Sequence, residues 1–495
     1  MKPDVVQGAK NELVSLLGKD NVSDDPTELF AYGFESSLHF SPPAIVVRPK
    51  STSDVVGLVK IASKYKLPIT PRGAGTSFAA QSLSLHDGMI VDFRQMNKIK
   101  AINVGDQQAI VEPGVYYREL NKKLAEVGFT FPPEPGSADY ITVGGMVGNN
   151  ASGMHAVKYG ATKNWVVDME VVLANGEVMH TGSHSLKSSS GYCLNELFVG
   201  SEGTLGLITE ITFKIAPAPR FKETYMAIFP GIDAAGECAV AIIKSGVIPS
   251  ALEFCDDISL GMMKDAMQVE LPPSAFEPGK AALFIEVDGA TAEGVAAEGR
   301  IIQSVLHGKA MDVKTARSDQ EREALWHARH ALGSILSKAR FGRYMMSQVL
   351  DIGVPTSRVP DVLKAIKEVV TRPETMLITA IYGHIGDGNI HFGCGINPDM
   401  PAEVDKGIAA RDAIAAIVLK AGGTLSAEHG TGMMRAVKLA DEVGSRLDVM
   451  RKIKNVLDPD NIMNPGPFFE VPVDDKGRPS EFIKLKPYMP GGGSP

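Results

Sequence analysis

The sequence lacks several features that would assign a protein to a class at once. Its four cysteines, Cys193, Cys238, Cys255 and Cys394, form no CxxC pair, so neither an iron–sulfur site nor a disulfide framework is predicted. It has no apolar run near the roughly 18 residues that span a bilayer, and no hydrophobic signal core at its beginning. The net charge of −8, without a basic cluster, argues against a nucleic-acid partner. We therefore expect a cytoplasmic protein without an integral membrane segment, which would reach a membrane only through a partner.

The length and the periodicity of the chain predict an α+β protein of at least two domains. Its 495 residues exceed what a single core accommodates. A strand, an amphipathic helix and a second strand follow one another between residues 44 and 70, whereas short strands alternate with helices beyond the Pro-Ala-Pro break at 217–219. The predicted units are a helical lead-in, a first domain, a second domain with an antiparallel sheet and a flexible tail, at residues 1–40, 41–218, 219–465 and 466–495.

The segment YGHIGDGNIHF, residues 382–392, carries the first chemical signal. Its middle, GDGN, favours a turn, and a four-residue hairpin loop there makes His384 face His391. Directly opposed residues lie roughly 5 Å apart at Cβ, close enough for two imidazoles to share a divalent metal. Glu428 follows in the segment SAEHGTG, residues 426–432, and two histidines with one glutamate are the ligand set of a catalytic metal. The alternative is a glycine-rich turn with incidental histidines.

Three glycine-rich segments, residues 71–77, 132–153 and 200–209, lie in the predicted first domain. The first lacks the GxGxxG spacing of a nicotinamide-binding fold, yet its amide groups and the hydroxyls of Thr76 and Ser77 suit a pyrophosphate. The second is poor in charge and rich in small residues, a composition that lets a large flat ligand lie against the backbone. Together the segments predict a large cofactor.

These segments resemble the FAD-binding domain of the vanillyl-alcohol oxidase and p-cresol methylhydroxylase superfamily. The second half, through residues 384–391, 427–432 and 455–466, resembles the FAD-linked oxidase branch, which contains D-lactate dehydrogenase, D-2-hydroxyglutarate dehydrogenase and the flavin subunit of glycolate oxidase. The resemblance covers residues 40 to 466 and implies a PCMH-type FAD-binding domain followed by an α+β substrate and metal domain. It also implies that FAD is bound noncovalently, because Ala74, Gly75 and Thr76 stand where covalent members often have a histidine.

The resemblance further implies a set of FAD-binding residues, with Asn464 expected near the isoalloxazine ring. The set comprises Pro71, Arg72, Gly73, Ala74, Gly75, Thr76, Ser77, Gln81, Ser82, Pro135, Gly136, Thr142, Gly144, Gly145, Asn149, Ser152, Gly153, Tyr159, Glu202, Gly203, Gly206, Ile208 and Asn464.

Arg329 and His429 are the predicted catalytic residues. A helix is predicted to begin at the capping box of residues 318–321, whose first residue is Ser318. Arg329 shares a face of this helix with Leu325, Leu332 and Leu336, and an arginine on an apolar face is costly unless it is paired. It binds a substrate carboxylate, forms an internal ion pair or extends its charged end to solvent, and the resemblance favours the carboxylate. His429, next to Glu428, is either a general base for a substrate hydroxyl or a further metal ligand, and the resemblance favours the base.

Together with these residues, the resemblance implies a dehydrogenase that oxidises a D-2-hydroxy acid at FAD and at one divalent metal, zinc or manganese. Gly393 stands where the hydroxyglutarate-oxidising relatives have an asparagine, which favours a smaller acid such as D-lactate. Electrons would leave to a quinone, a cytochrome, an electron-transfer flavoprotein or an iron–sulfur subunit. The alternatives are a glycolate oxidase-type flavin subunit, a D-2-hydroxyglutarate dehydrogenase, an oxygen-using alcohol oxidase and a non-redox assembly subunit.

Overall fold

The computed structural model describes residues 2–37, 39–266, 271–338, 345–397 and 400–473. Within these ranges the side chains of residues 265, 266, 331, 333, 334, 336–338 and 345–349 are not described. The predicted tail, 466–495, lies outside the described residues from position 474 onward. None of the helices in the described ranges combines the length and the apolar character needed to cross a membrane.

The first sheet of the described chain contains four strands in the order β1-β2-β4-β3, and β4 is parallel to both β2 and β3. The strands are β1 Val22–Ser23, β2 Ile45–Val47, β3 Ile69–Arg72 and β4 Met89–Asp92. The accompanying helices are α1 Pro3–Leu17, α2 Pro26–Tyr32 and α3 Thr52–Tyr65. Ser51 Oγ accepts a hydrogen bond from the Asp54 amide and caps α3. The predicted strand–helix–strand unit therefore forms, and it leads the chain into the first glycine-rich segment.

The second sheet of the described residues is antiparallel, with five strands in the order β5-β6-β10-β8-β9. A separate strand pair, β7 and β11, lies beside it. The strands are β5 Ile99–Asn103, β6 Gln108–Val111, β7 Phe129–Thr130, β8 Val166–Val172, β9 Val178–His180, β10 Leu207–Lys214 and β11 Ala216–Pro217. The helices between them are α4 Tyr117–Ala125, α5 Val143–Asn149, α6 Ala156–Tyr159 and α7 Leu194–Phe198. The second and third glycine-rich segments follow α4 and α7, next to the first segment.

The third sheet is antiparallel and, among the described residues, has seven strands in the order β15-β12-β14-β13-β17-β18-β16. The strands are β12 Phe221–Phe229, β13 Ala251–Asp256, β14 Ala281–Gly289, β15 Asp312–Thr315, β16 Met345–Gly353, β17 Thr379–Gly383 and β18 Asn389–Gly395. The helices of this region are α8 Ile232–Lys244, α9 Asp257–Ala266, α10 Ala292–Leu306, α11 Asp319–Lys338, α12 Val359–Thr371, α13 Pro401–Lys420, α14 Ala436–Val443 and α15 Arg446–Leu457.

Alternating side chains of the third sheet pack in two hydrophobic cores, one on each face of the sheet. Tyr225 and Ala227 of β12 pack in a core with α8, α10, α12 and α13, whereas Met226 and Ile228 pack with α9 and α11 on the other face. The α+β class and the antiparallel sheet predicted from the sequence are confirmed. Arg329 on α11 and the β17–β18 hairpin are brought to the same end of this sheet.

The hairpin register differs from the prediction. Tyr382, rather than His384, is the partner of His391 across β17 and β18, so the turn is longer than the predicted four residues. His384 lies in this turn, where its carbonyl accepts the Asn389 amide at 3.1 Å. Side chains alternate between the two faces of a strand, so a register shift of two residues leaves each side chain on the predicted face. Both histidines therefore still point away from the core that contains Ile385 and Ile390.

Candidate active site

A groove runs along the three glycine-rich segments and encloses about 780 Å³ of empty space. Its lining includes most of the predicted FAD-binding residues. These are Pro71, Arg72, Gly73, Ala74, Gly75, Thr76, Ser77, Gln81, Ser82, Thr142, Gly144, Gly145, Asn149, Glu202, Gly203, Gly206 and Ile208. We call this space the cofactor groove.

The shape of the groove suits a ligand that lies against the backbone. Gly148 of α5 lines it, and a Cβ added there would meet nothing within 4 Å, so a side chain at this position would extend into the open space. Gly73 is packed tightly instead, because a Cβ there would lie 2.1 Å from Thr142 Oγ1. A side chain at Gly148 would therefore occupy the groove, whereas a side chain at Gly73 would displace Thr142, which also lines it.

Some predicted FAD-binding residues have structural partners. The Arg72 guanidinium donates to the carbonyls of Tyr32, Ser82 and Phe34, so it ties the groove wall to the lead-in. Tyr159 donates from its hydroxyl to Asp288 Oδ2 at 2.8 Å.

Three predicted FAD-binding residues, Gly153, Tyr159 and Asn464, line neither the cofactor groove nor the cavity beside it. Asn464 is buried and donates from Nδ2 to the carbonyls of Gln81 and Glu202, at 3.0 and 2.7 Å.

A second cavity, with about 1430 Å³ of empty space, adjoins the cofactor groove. Thr76, Ser77, Ile141 and Asn149 line both. The second cavity also contains the predicted FAD-binding residues Pro135, Gly136 and Ser152, together with every predicted metal and catalytic residue: Arg329, His384, His391, Glu428 and His429. We call it the substrate cavity.

Three imidazoles converge on one oxygen in the substrate cavity. The Nε2 atoms of His384, His391 and His429 lie 3.0, 3.4 and 3.6 Å from Glu428 Oε1. Donor atoms bound to a four-coordinate zinc at about 2.0–2.1 Å lie about 3.3 Å from one another. Each of these nitrogen–oxygen distances is close to that value. The group whose ligand atoms all lie within 4.8 Å of one another comprises Asp351, His391, Glu428 and His429, and it does not include His384.

Two buried carboxylates lie behind these rings. The Nδ1 of His384 donates to Glu253, at 2.7 and 2.9 Å from its two oxygens. The oxygens of Asp351 lie 3.1 Å from the Nδ1 atoms of His391 and His429. Asp351 Oδ2 also accepts the amides of Glu428 and His429 at 2.8 Å. Carboxylates behind metal-binding histidines fix the tautomer and the ring orientation.

The charges and tautomers of this cluster suit a divalent cation. When the Nδ1 proton of a neutral His384 is donated to Glu253, the Nε2 atom carries a lone pair that faces Glu428 Oε1. Nε2 and Oε1 are then both hydrogen-bond acceptors, so a proton or a cation must lie between them. Burial would lower the pKa of His384, but Glu253 and Glu428 outweigh burial and raise it well above its ordinary value. The three rings lie among three buried carboxylates, with Glu253 and Glu428 beside His384 and Asp351 beside His391 and His429.

Arg329 lines the substrate cavity and is also paired inside the protein. Its Nη2 lies 2.5 Å from Glu253 Oε2, and its guanidinium carbon lies 5.4 Å from the centroid of the Tyr382 ring. Its Nε has no hydrogen-bond partner among the described residues. The internal ion pair that the sequence left open is therefore present, and donor capacity remains for a ligand.

Glu253 and Asp351 were missed by the sequence analysis. Each is an acidic residue in a strand whose neighbours are apolar, Ala-Leu-Glu-Phe-Cys in β13 and Val-Leu-Asp-Ile in β16. A charge in a buried strand needs a partner, and this pattern could have identified both residues.

Two family models match the chain, the FAD binding domain over residues 43–182 and the C-terminal domain of FAD linked oxidases over residues 218–468. Glycolate oxidase subunit GlcD of Bacillus subtilis is 34% identical over 468 residues, which cover 94% of this chain and 97% of that protein. The chain belongs to the FAD-linked oxidase family.

A probable mitochondrial D-lactate dehydrogenase of Danio rerio is 32% identical, over 95% of this chain and 93% of that protein. Other relatives, at 31% and 30% identity, are a D-lactate dehydrogenase and a D-2-hydroxyglutarate dehydrogenase. The structure of p-cresol methylhydroxylase with bound substrate shares the fold, with a TM-score of 0.77 at 20% identity over 95% of this chain and 98% of that one. This FAD-linked oxidase is thus an FAD-dependent oxidoreductase of the hydroxy-acid dehydrogenase branch, and the resemblance stated from the sequence is confirmed.

Proposed function

We propose that this FAD-linked oxidase oxidises a D-2-hydroxy acid, with D-lactate favoured, to the 2-keto acid. The observation that carries the proposal is that the cofactor groove opens into a cavity containing a guanidinium and three carboxylate-supported imidazoles around Glu428. A hydroxy acid has a carboxylate for the first group and an ionisable hydroxyl for the second.

Each residue has a proposed task. Arg329 binds the substrate carboxylate through its guanidinium, a charge-assisted contact in a buried setting. His429 accepts the hydroxyl proton at Nε2, and Asp351 stabilises the resulting imidazolium from the Nδ1 side. The cofactor groove would hold FAD, which would supply the two-electron acceptor for the hydride that leaves Cα as the hydroxyl carbon becomes a carbonyl.

A divalent cation, zinc or manganese, is part of the proposal. His384, His391 and Glu428 would hold it, with Glu253 and Asp351 orienting the two rings. Such a cation would supply Lewis-acid chemistry, which would lower the pKa of the substrate hydroxyl. His429 lies close enough to Glu428 to be a further metal ligand instead of the base. A substitution of His429 distinguishes the two roles, because it releases the cation if His429 is a ligand and leaves the cation bound if His429 is the base.

The reduced flavin needs an external electron acceptor. We propose a quinone, a cytochrome, an electron-transfer flavoprotein or an iron–sulfur subunit, because the cysteines lack the spacing of a cluster site. The location in the cytoplasm remains a prediction. One relative bears the name of a glycolate oxidase subunit, which favours a glycolate-oxidising flavin subunit as the second candidate. A D-2-hydroxyglutarate dehydrogenase is less favoured, since Gly393 supplies no side chain for a second carboxylate.

An anaerobic titration tests the proposal. The purified holoprotein is mixed with D-lactate, L-lactate, glycolate and D-2-hydroxyglutarate, and the flavin absorbance near 450 nm is followed while the same sample is analysed for metal. We expect bleaching by D-lactate, slower bleaching by L-lactate and one divalent cation per flavin. Bleaching by glycolate alone, or by D-2-hydroxyglutarate alone, would identify that acid as the substrate in place of D-lactate. A flavin that none of the acids reduces would favour the non-redox assembly subunit.

A further inference from the structure

Residues 426–432, which we call the Glu428 loop, are bonded directly to residues that line the cofactor groove. Gln81 Nε2 donates to the His429 carbonyl at 2.7 Å. The Glu202 carboxylate accepts the amide of Thr431 at 2.6 Å and the amide of Gly432 at 2.8 Å. Gln81, Glu202 and Gly432 are buried, whereas His429 and Thr431 are partly buried, so these contacts are largely shielded from water.

The backbones of the two segments also touch. The Met433 amide donates to the Ala79 carbonyl at 3.0 Å. Gly432 has a φ of +53°, and a Cβ there would lie 1.9 Å from Ala79 O. Only glycine permits this approach, which explains the Gly-Thr-Gly end of the loop.

The two groove-lining residues in this contact, Gln81 and Glu202, are also connected to each other. Asn464 Nδ2 bridges the carbonyls of Gln81 and Glu202, at 3.0 and 2.7 Å. Ala80 and Glu202 have left-handed φ values of 67° and 53°, which non-glycine residues adopt only when their surroundings hold them there. A displacement of either groove segment is therefore transmitted to the carbonyl of His429 and to the amides that follow it.

We propose that Gln81 and Glu202 are positioning residues that hold the Glu428 loop against the cofactor groove, so that FAD and the divalent cation bind cooperatively. The inference rests on the proposed function, because it requires the cation site at Glu428. A flavin in the groove restricts Gln81 and Glu202, and through them the loop that carries Glu428 and His429. The cation restricts the same loop from the other side, and the coupling is reciprocal by linkage.

The first test compares the Zn²⁺ affinity of three flavin-containing proteins, which are the wild type, Gln81→Met and Gln108→Met. Gln81→Met removes the donor to His429 with little change in volume. Gln108→Met is the matched control, because Gln108 Nε2 also donates to a backbone carbonyl, that of His184, at 2.7 Å, away from the site. We expect Gln81→Met to weaken Zn²⁺ binding about tenfold in a chelator competition, as changes behind metal ligands do, and the control to stay within twofold.

The second test needs no variant and decides the matter if Gln81→Met does not fold. FAD release from the wild-type protein is followed by fluorescence after dilution, once with Zn²⁺ and once with chelator. We expect several-fold slower release with Zn²⁺, and equal rates would overturn the coupling. A wild-type holoprotein that binds no Zn²⁺ overturns the proposed cation site and this inference together. Zn²⁺ binding that is unaffected by Gln81→Met or by flavin overturns this inference alone.

Discussion

Glu253 holds His384 with both of its carboxylate oxygens, at 2.7 and 2.9 Å from Nδ1, and the same carboxylate lies 2.5 Å from Arg329. A single buried acid on β13 thus connects the proposed substrate anchor with the proposed metal ligand. Its strand position is fixed by pairing with β14 and β17, so the carboxylate is a rigid support for both partners.

Glu253→Gln should weaken the binding of the divalent cation by roughly 10- to 100-fold while FAD stays bound. The amide keeps the volume but loses the charge that makes His384 a strong ligand. Glu286→Gln is the matched control, since Glu286 is a buried glutamate on the neighbouring strand β14 that bonds Lys222, Thr224 and Trp326. Chelator competition measures both variants, and equal cation affinities in the two would contradict the role of Glu253.

His384→Ala should release the cation and abolish turnover while the protein remains yellow. The substitution removes one proposed ligand and leaves the cofactor groove untouched, because His384 lines only the substrate cavity. Metal analysis and the flavin spectrum of the same sample measure the two effects separately. His180→Ala, at an exposed histidine on β9, controls for the loss of an imidazole. Full activity of the wild type in metal-free buffer would refute the metal-dependent mechanism.

Arg329→Met should raise KM for D-lactate and lower kcat. We expect kcat/KM to fall by roughly 10- to 150-fold, because the loss of hydrogen bonds from a charged group costs about 1.5–3 kcal/mol. The thermal unfolding midpoint shows whether the variant is folded, since Glu253 loses a cationic partner. Arg329→Lys retains the charge but not the planar fork, and we expect partial activity. Unchanged kinetics in Arg329→Met would remove this residue from the site.

Gly148→Leu should yield folded protein without flavin. The added side chain enters the cofactor groove, where a Cβ meets no atom within 4 Å, so it blocks the ligand without a clash against the protein. Gly105→Leu is the control, because Gly105 has the same open surroundings outside the groove. The flavin content per chain measures the result, and a full complement of FAD in Gly148→Leu would show that the cofactor lies elsewhere.

Glu134 should make stability depend on acid pH. Burial raises its pKa, but the hydrogen bond and charge of His155, 3.4 Å away, and the charge of Arg118, 2.9 Å away, outweigh burial and lower the pKa to about 2. A depressed pKa stabilises the fold above the ordinary value of 4.5, and the contribution is lost as the pH falls toward 2. The full contribution is about 3 kcal/mol.

The destabilisation by Glu134→Gln should therefore be about 2 kcal/mol smaller at pH 3 than at pH 6, which corresponds to a few degrees in the thermal unfolding midpoint. Asp448→Asn, at an exposed aspartate on α15, is the control for the loss of a carboxylate. A difference between Glu134→Gln and the wild type that stays constant from pH 6 to pH 3 would contradict this role of Glu134.

Local patterns predicted the elements well where one face is buried. The helix after Ser51, the strands β12 and β14 of the third sheet and the cap at Ser318, whose Oγ accepts the Glu321 amide, follow from periodicity and capping. Leu336, which was assigned to the same face of α11 as Arg329, has no described side chain. The hairpin register was predicted two residues too tight, because the glycine-rich turn allows several loop lengths and the pairing of β17 and β18 decides among them.

The sequence by itself determined the family, the α+β class and the residue types of the substrate cavity, because these reside in contiguous segments such as residues 382–392 and 426–432. Only the tertiary structure decided that Glu253 lies behind His384, that Asp351 serves two histidines, and that Asn464 joins the walls of the cofactor groove. These contacts join residues far apart in the chain, such as Glu253 and His384, which are separated by 131 positions. Such pairings depend on how strands and loops pack together, and no local pattern encodes them.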